Sequence, residues 1–208
     1  MSDIPYIKYR FKDIDALKFI QKSLREAKEN ETIGRNYGGI HHQWFLQVPS
    51  YRREISLEKK VSSFWDDNPE IFERIEKSTY PFDQPIINSW IKLYKEGEYG
   101  VLHQDDPKFM DHAKKVESTW TNSILIDEDM NASGGEIVFS GDKLDYTKEG
   151  LRKRLEVDRH NGIGEVMVWN DEVVHGIGKM KKGYRASLIV IKERKNSQML
   201  ENFEDPNG

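Results

Sequence analysis

The sequence predicts a mainly β fold, a double-sheet jelly roll buttressed by N-terminal α-helices. Two observations predict it. Segments with helical periodicity are concentrated in residues 1–84, whereas from residue 85 short runs of β-branched and aromatic residues alternate with turn residues. Many short strands separated by turns are typical of sandwiches and barrels. We expect one domain over 1–194, with mostly helical support in 1–84 and a jelly-roll core in 85–194, followed by a polar, disordered tail at 195–208.

The composition restricts the class of protein. The chain has 208 residues, 33% of them charged, a formal net charge of −4 and no cysteine. The absence of cysteine excludes disulfides, thiolate metal sites and cysteine nucleophiles. The acidic balance argues against a protein that binds a phosphate backbone, and neither a membrane span nor a secretory signal is present. We expect a soluble cytoplasmic protein with no membrane or nucleic-acid partner, and the oligomeric state is left open.

The N-terminal part contains one edge strand, a second strand and three helices. Residues 1–11 carry the aromatics of the edge strand, and residues 38–49 form a strand bounded by glycines and a proline. Asp13 and Asn68 are the expected N-caps, with Pro69 at the first helical position. The helices are predicted over three segments: Asp13 or Asp15 to about Asn30, Ser56–Trp65 and Asn68–Lys77.

The strands of the core follow. In the first of them Trp90, Lys92 and Tyr94 share one face. An acidic, solvated turn is expected over 127–131, and Gly134-Gly135 is expected to supply positive φ. The basic link 179–183 is expected to be a hairpin. The predicted strands are Pro85–Tyr94, Trp120–Ile126, Glu136–Ser140, Gly164–Trp169, Val173–His175 and Tyr184–Lys192, with a helical turn or loop at Lys148–Arg154.

A candidate metal site begins in the segment Val101–Asp105. If this segment is extended, the side chains of His103 and Asp105 lie on one face, about 7 Å apart. His175 ends an apolar run that can lie beside this strand and supply a third ligand. Two imidazoles and one carboxylate on one face of an octahedral ion leave three positions open, the arrangement of non-heme Fe(II) oxygenases.

Other histidines are weaker candidates. His41 and His42 are neighbours in a strand, so they point to opposite faces and are interpreted as ordinary strand residues. His112 lies in the polar insertion 106–118, which could border a substrate entrance, and is interpreted as a solvated loop residue. Asp158 and His160 form a rival pair of metal ligands, but no third ligand follows them at a suitable spacing.

Arg185 and Ser187 form a second candidate site. They share one face of the last strand, and a guanidinium fork beside a hydroxyl suits a carboxylate. Tyr94, taken alone, is interpreted as a core aromatic.

Over roughly Ile86 to Ile191 the chain resembles the 2-oxoglutarate- and Fe(II)-dependent dioxygenases, most closely their prolyl 4-hydroxylase-like branch. The resemblance rests on an ordered set of motifs: Tyr94 with Gly97, His103-Gln104-Asp105, Ser123–Ile126, Gly134-Gly135-Glu136 before Ile137–Phe139, Gly164–Trp169, His175-Gly176 and Gly183–Ser187. It implies a double-stranded β-helix (jelly roll, cupin-like). It also implies that His103, Asp105 and His175 bind iron and that Arg185 binds the distal carboxylate of 2-oxoglutarate, with Tyr94 and Ser187 assisting.

The resemblance implies an activity as well. The enzyme would use Fe(II), 2-oxoglutarate and O2, with ascorbate as an optional addition, and would hydroxylate an unactivated C–H bond while releasing succinate and CO2. Halogenases of this fold lack the carboxylate ligand, so Asp105 favours hydroxylation. Nucleic-acid dealkylases of this superfamily carry a second arginine six residues beyond the arginine that binds 2-oxoglutarate, and this chain has Ile191 at that position. The difference argues against a nucleic-acid substrate.

Three functions stay open on the sequence. The first is hydroxylation of a prolyl or other amino-acid side chain in a protein or peptide. The second is hydroxylation of a free amino acid or small metabolite. The third, from another class, is a noncatalytic jelly-roll binding protein with a vestigial metal site, against which the complete set of three ligands and Arg185 argues.

Overall fold

The computed structural model describes residues 6–29, 34–36, 39–45, 64–105, 116–140 and 155–195. Within these ranges there are three helices: α1 (Ile14–Glu29), α2 (Phe64–Asp67) and α3 (Pro69–Ser78). The strands in the same ranges are β1 (Ile7–Arg10), β2 (Gly34–Asn36), β3 (Gly39–Phe45), β4 (Ile86–Lys95), β5 (Tyr99–His103), β6 (Thr119–Glu128), β7 (Ser133–Gly134), β8 (Ile137–Ser140), β9 (Leu155–Asp158), β10 (Glu165–Asn170), β11 (Val174–Ile177), β12 (Met180–Lys182) and β13 (Tyr184–Glu193).

The strands form a jelly roll. One hydrogen-bonded path runs in the order β1-β10-β6-β13-β4-β3-β5-β11-β8-β9, with β2 added to β3. The β3 strand joins the two halves of this path, because residues 42–45 pair with β4 and residues 39–40 pair with β5. The pairs along the path are antiparallel. The predicted mainly β jelly roll with N-terminal helices is confirmed.

Helix α1 covers one face of the sheet. Leu17, Ile20 and Leu24 recur at helical spacing and are buried in the main core, as expected for an amphipathic helix that packs by one stripe. The Asp13 carboxylate accepts a hydrogen bond from the Ala16 backbone N–H at 3.1 Å, which confirms the predicted N-cap. The predicted edge strand is confirmed too, since β1 lies at one end of the path.

Helix α3 begins with Pro69 in its first turn, as predicted, but Asn68 does not cap it with its side chain. The Asn68 amide instead donates to the Phe64 carbonyl at 2.8 Å. Asn68 is therefore the N-cap residue of α3, as predicted, but its side chain makes no cap hydrogen bond, because the short helix α2 just before α3 offers it another acceptor.

Strand β4 separates the hydrophobic core from the cavity. Ile91 and Leu93 belong to the main core cluster, whereas Trp90, Lys92 and Tyr94 line the cavity on the opposite face. This alternation is the one predicted from a period of two. It gives the sheet one face for packing and one for chemistry.

Two predicted turns are corrected by the structure. Asp127 and Glu128 belong to β6, so the predicted exposed turn begins only at Asp129, and the buried Asp127 carboxylate accepts hydrogen bonds from Arg25, Gln21 and Tyr184. The link 179–183 is not a hairpin, since β12 pairs with β7 in a separate two-stranded sheet. Positive φ at Gly134 and Gly135, 80° and 67°, is confirmed.

Several predictions fall outside the described residues. They are the larger part of the helix Ser56–Trp65, the loop or turn at 148–154, His112 with most of its insertion, and the tail. The backbone of His41 and His42 lies in β3, and their side chains are outside the description. No helix among the described residues has the length and apolar character that crossing a membrane requires.

Candidate metal centre and anion pocket

The three predicted metal ligands come together in the cavity. His103 ends β5, Asp105 follows two residues later, and His175 lies in β11, directly opposite His103. One ligand atom from each residue lies within 4.8 Å of the others. The Asp105 carboxylate is 3.5 Å from Nε2 of each histidine.

A β-bulge turns His103 inward. His175 pairs with His103 but Ile177 pairs with Gly100, so β5 has one residue more than β11 between these two pairs. Gly100 faces the cavity, because a Cβ built on it would lie 3.0 Å from the Tyr94 hydroxyl. The extra residue restores the inward direction at His103, whereas Tyr99 and Val101 are exposed. Bulges commonly re-aim side chains in this way next to functional sites.

Hydrogen bonds orient the ligand atoms. Nδ1 of His103 lies 2.8 Å from the Val101 carbonyl, and Nδ1 of His175 lies 3.2 Å from the Val173 carbonyl. With Nδ1–H donating to a carbonyl, Nε2 carries the free electron pair that a metal requires. The Thr121 hydroxyl donates to Oδ2 of Asp105 at 2.8 Å and fixes the carboxylate.

The protonation states suit metal binding. Burial lowers the pKa of His175 to about 4, despite the opposing effect of Asp105, so its imidazole is neutral near pH 7. Burial alone would raise the pKa of Asp105, but the neighbouring His175, His103 and Lys92 hold it below its usual range. A neutral imidazole and an ionised carboxylate are the forms that bind a divalent ion.

This donor set fits Fe(II). Imidazole nitrogen and carboxylate oxygen are ligands that Fe(II) accepts, and two histidines with one carboxylate leave open positions for further ligands. Trp169 packs against His175 with ring centroids 4.6 Å apart, which holds the imidazole from its other side.

The cavity around this centre holds about 550 Å³, including the space at its mouth. Its remaining walls combine apolar and polar side chains. They include Ile137, Ile177, Ile189, Trp90, Trp169, Lys92, Tyr94, His160, Arg185 and Ser187. A cavity with mostly apolar walls and a few converging polar groups is typical of a small-molecule site.

Arg185 lies inside this cavity, as predicted. It is 4% exposed, its Nη1 donates to the Gly135 carbonyl at 3.0 Å, and its Nε lies 3.2 Å from the Glu128 carboxylate. The distance to Glu128 is that of an ion pair, but Nε makes no hydrogen bond, because the alignment is poor. Burial lowers the pKa of Arg185 to about 10, so the guanidinium stays charged near pH 7.

Gly135 makes room for this guanidinium. Its φ is +67°, and a Cβ there would overlap the Met180 sulfur and lie 3.2 Å from Cδ of Arg185. Only glycine combines this backbone conformation with this close approach.

Tyr94 and Ser187 also line the cavity. Tyr94 lies opposite Arg185 in the β4–β13 pair, and burial raises its pKa, with Glu98 and Asp105 adding to the effect. Its phenol therefore stays protonated and can act as a donor. Ser187 lies one inward position further along β13, opposite Lys92.

Three residues of the site were not predicted. Thr121 and Lys92 carry no motif, although the predicted alternation in β4 placed Lys92 on the same face as Tyr94. His160 was considered as a metal ligand, but it lies away from the three ligands and beside Arg185, with its Nδ1 3.5 Å from Nη2. Its Nε2 lies 2.8 Å from the Ser123 carbonyl, and burial lowers its pKa to about 3.

Sequence comparison identifies no relative. No family model matches the chain, and no curated protein matches it.

Comparison of structures, in contrast, finds clear similarity in fold. A prolyl-4-hydroxylase from Pseudomonas putida aligns over 92% of this chain and 94% of its own, with a TM-score of 0.55 and 11% identity. A viral collagen prolyl hydroxylase from Paramecium bursaria Chlorella virus-1 aligns over 93% and 98%, with a TM-score of 0.52 and 16% identity. The epimerase SnoN of nogalamycin biosynthesis, described as α-ketoglutarate dependent, aligns over 97% and 85%, with a TM-score of 0.57 and 13% identity.

The chain thus has the fold found in structures of 2-oxoglutarate- and Fe(II)-dependent oxygenases. At these identities the similarity defines the fold alone. Two of the three structures are named as hydroxylases and one as an epimerase. The fold therefore specifies neither the reaction nor the substrate, which depend on the residues of the site.

Proposed function

We propose that this protein is a 2-oxoglutarate- and Fe(II)-dependent dioxygenase that hydroxylates an unactivated C–H bond. The observation that carries the proposal is the presence, in one cavity, of a three-residue metal site and a buried guanidinium. His103, Asp105 and His175 offer ligand atoms within 4.8 Å of one another, and Arg185 lines the same cavity. A vestigial or purely structural site has no need of the second feature.

Each residue has a role in this proposal. His103, Asp105 and His175 would hold the iron, and Arg185 would bind the distal carboxylate of 2-oxoglutarate through its planar fork of donors. The protonated Tyr94 phenol and the Ser187 hydroxyl would assist as donors. Fe(II), when bound with 2-oxoglutarate and O2, supplies the oxidation: one oxygen atom enters the substrate as hydroxyl, and the other enters succinate as CO2 is released.

The rest of the cavity supports this chemistry by limiting water. Ile137, Ile177 and Trp169 give it apolar walls, and His175 and Asp105 are nearly fully buried. A dry site strengthens the electrostatic contacts to the bound carboxylate. Asp105 supports hydroxylation over halogenation, because a halide would need the coordination position that this carboxylate can fill.

The first test is succinate formation. The full-length protein with Fe(II), 2-oxoglutarate, O2 and ascorbate is expected to release succinate and CO2 in equal amounts. Without a substrate this release is expected to continue at a lower rate. Mass spectrometry of candidate peptides, amino acids and metabolites is then expected to find a gain of one oxygen atom. A protein that binds Fe(II) and 2-oxoglutarate but forms no succinate with any candidate would favour the noncatalytic alternative.

A further inference from the structure

Lys92 is a second cation in the cavity, and the proposed function does not use it. It lies on β4 between Trp90 and Tyr94 on the inward face, and it lines the same cavity as the metal ligands. Burial lowers its pKa, and Asp105 opposes that effect. The side chain is half-buried, and this partial desolvation makes its charge costly unless a counter-ion is present.

Among the described residues Lys92 has no ion-pair partner. Its Nζ lies 5.8 Å from the centroid of the Trp90 ring. Asp105 influences it only through space, since no hydrogen bond or ion pair joins the two. Once Asp105 binds a metal, its charge is committed there, and the ammonium group lacks a counter-ion among the described residues.

The neighbouring Trp90 offers a second donor. It is 7% exposed, and its indole Nε1 is buried with no hydrogen-bond acceptor. Trp90 and Lys92 lie opposite Ile189 and Ser187 in the β4–β13 pair. A buried indole N–H without an acceptor and a half-buried ammonium group without a counter-ion, both on one inward face, suit a ligand with two oxygen acceptors.

Lys92 and Arg185 act on different parts of the cavity. The charge of Lys92 lowers the pKa of Asp105 and the pKa of His175. The charges that act on Arg185 are instead those of Arg159, Glu128, Glu136 and Glu165. Lys92 is therefore assigned to the end of the cavity that contains the metal ligands, and Arg185 to the opposite end.

We propose that Lys92, together with Trp90, binds a carboxylate carried by the substrate, so that the substrate of this protein is an acid rather than a neutral group. The inference rests on the proposed function, in which the two carboxylates of 2-oxoglutarate already have the metal and Arg185 as partners. A free amino acid carries such a carboxylate, and so does a peptide with an acidic residue beside the target. An uncharged prolyl segment does not.

Binding is tested without turnover. The full-length protein is loaded with Fe(II) and 2-oxoglutarate in the absence of O2, and calorimetry measures binding of matched probes: free amino acids against their C-terminal amides, and proline-containing peptides with Glu against Gln beside the proline. We expect the wild-type protein to bind at least one acid about tenfold or more tightly than its neutral partner. Whether the free amino acids or the Glu peptides show this preference identifies which kind of molecule carries the carboxylate.

Three variants complete the test. Lys92→Met is expected to abolish the preference for the acid, Lys92→Arg to retain most of it, and Lys95→Met, at an exposed position of the same strand, to leave it unchanged. The affinity of the Fe(II)-loaded protein for 2-oxoglutarate, measured by the same anaerobic calorimetry, is expected to stay within about twofold in all three.

Three results would overturn the proposal: equal binding of acids and neutral partners to the wild type, a preference that survives in Lys92→Met, or a loss of 2-oxoglutarate binding in Lys92→Met. Each is distinct from failure of the proposed function, which would show as the absence of succinate formation in the wild-type protein.

Discussion

His175 lies directly opposite His103 across the antiparallel β11–β5 pair, and the two imidazole rings have centroids 4.4 Å apart. This relationship depends on how closely the two strands approach. At Gly176, a Cβ would lie 3.0 Å from the Gly100 carbonyl oxygen and 3.1 Å from the Leu102 nitrogen. Both neighbours are backbone atoms, so they cannot move aside without disturbing the strand pair.

Gly176→Ala is therefore expected to push β11 away from β5 and to weaken the metal site. We expect the affinity for Fe(II), measured by anaerobic calorimetry, to fall roughly tenfold or more, as for the loss of groups that orient metal ligands. Gly178→Ala is the matched control, because its closest contact is 3.3 Å to the Glu136 carboxylate, at the end of a flexible side chain. Equal affinities in both variants would contradict the role of Gly176.

Asp105→Ala removes the one carboxylate of the metal site. We expect Fe(II) binding to weaken and succinate formation to fall by about a hundredfold or more, because the remaining imidazoles do not neutralise the charge of the ion. Succinate is measured directly by chromatography. Asp15→Ala, at an exposed carboxylate with 83% side-chain exposure, serves as the control, and full turnover in Asp105→Ala would contradict the proposed metal site.

The sequence predicts those parts of the structure that depend on local pattern or on a long ordered motif. The period of two in β4 predicted which residues face the cavity, and the helical stripe of Leu17, Ile20 and Leu24 predicted α1. The residues alone indicated that His175 can lie beside the His103 strand, and the family resemblance made this an expectation, because no local signal reports that two distant strands are neighbours.

The errors occur where tertiary contacts decide the outcome. Asp127 looks like part of a solvated acidic turn until α1 brings Arg25 to 3.0 Å from its carboxylate. The His160 imidazole lies near Arg185 only because the segment before β10 folds back over β6. Neither contact has a sequence signature, since both residues could equally belong to exposed loops.

His160 gives a test of pH dependence. Burial, with Arg185 and Lys8 adding to it and the Ser123 carbonyl and Asp158 opposing it, lowers its pKa to about 3, against an ordinary value of about 6.5. Between these two pH values His160 is protonated in the unfolded chain but not in the folded chain. The free energy of unfolding therefore decreases as the pH falls. From pH 7 to pH 5 this one group is expected to lower the free energy of unfolding by about 2 kcal/mol.

The measurement compares urea denaturation of the wild type and His160→Gln at both pH values. His175 titrates in the same direction in both proteins, so the difference between them isolates His160. We expect the variant to lose about 2 kcal/mol less on acidification. An identical pH dependence in the two proteins would show that His160 is already protonated or exposed in the folded state.

Lys192 is expected to stabilise the fold through the hydrogen bonds of its buried amino group, although burial lowers the pKa of this group to about 7. It is fully buried, and its ammonium group donates to the carbonyl oxygens of Glu76, Thr79 and Pro81 at 2.6, 2.8 and 2.9 Å. It thereby satisfies carbonyls at the C-terminal end of α3 and ties that helix to β13. Lys192→Met keeps much of the side-chain volume but leaves these acceptors without a donor, so we expect a loss of about 3 kcal/mol in the free energy of unfolding.

Urea denaturation measures this loss, with Lys181→Met at an exposed position of β12 as the control. A change below about 0.5 kcal/mol in Lys192→Met, the level of ordinary surface substitutions, would mean that water replaces the ammonium group at no cost.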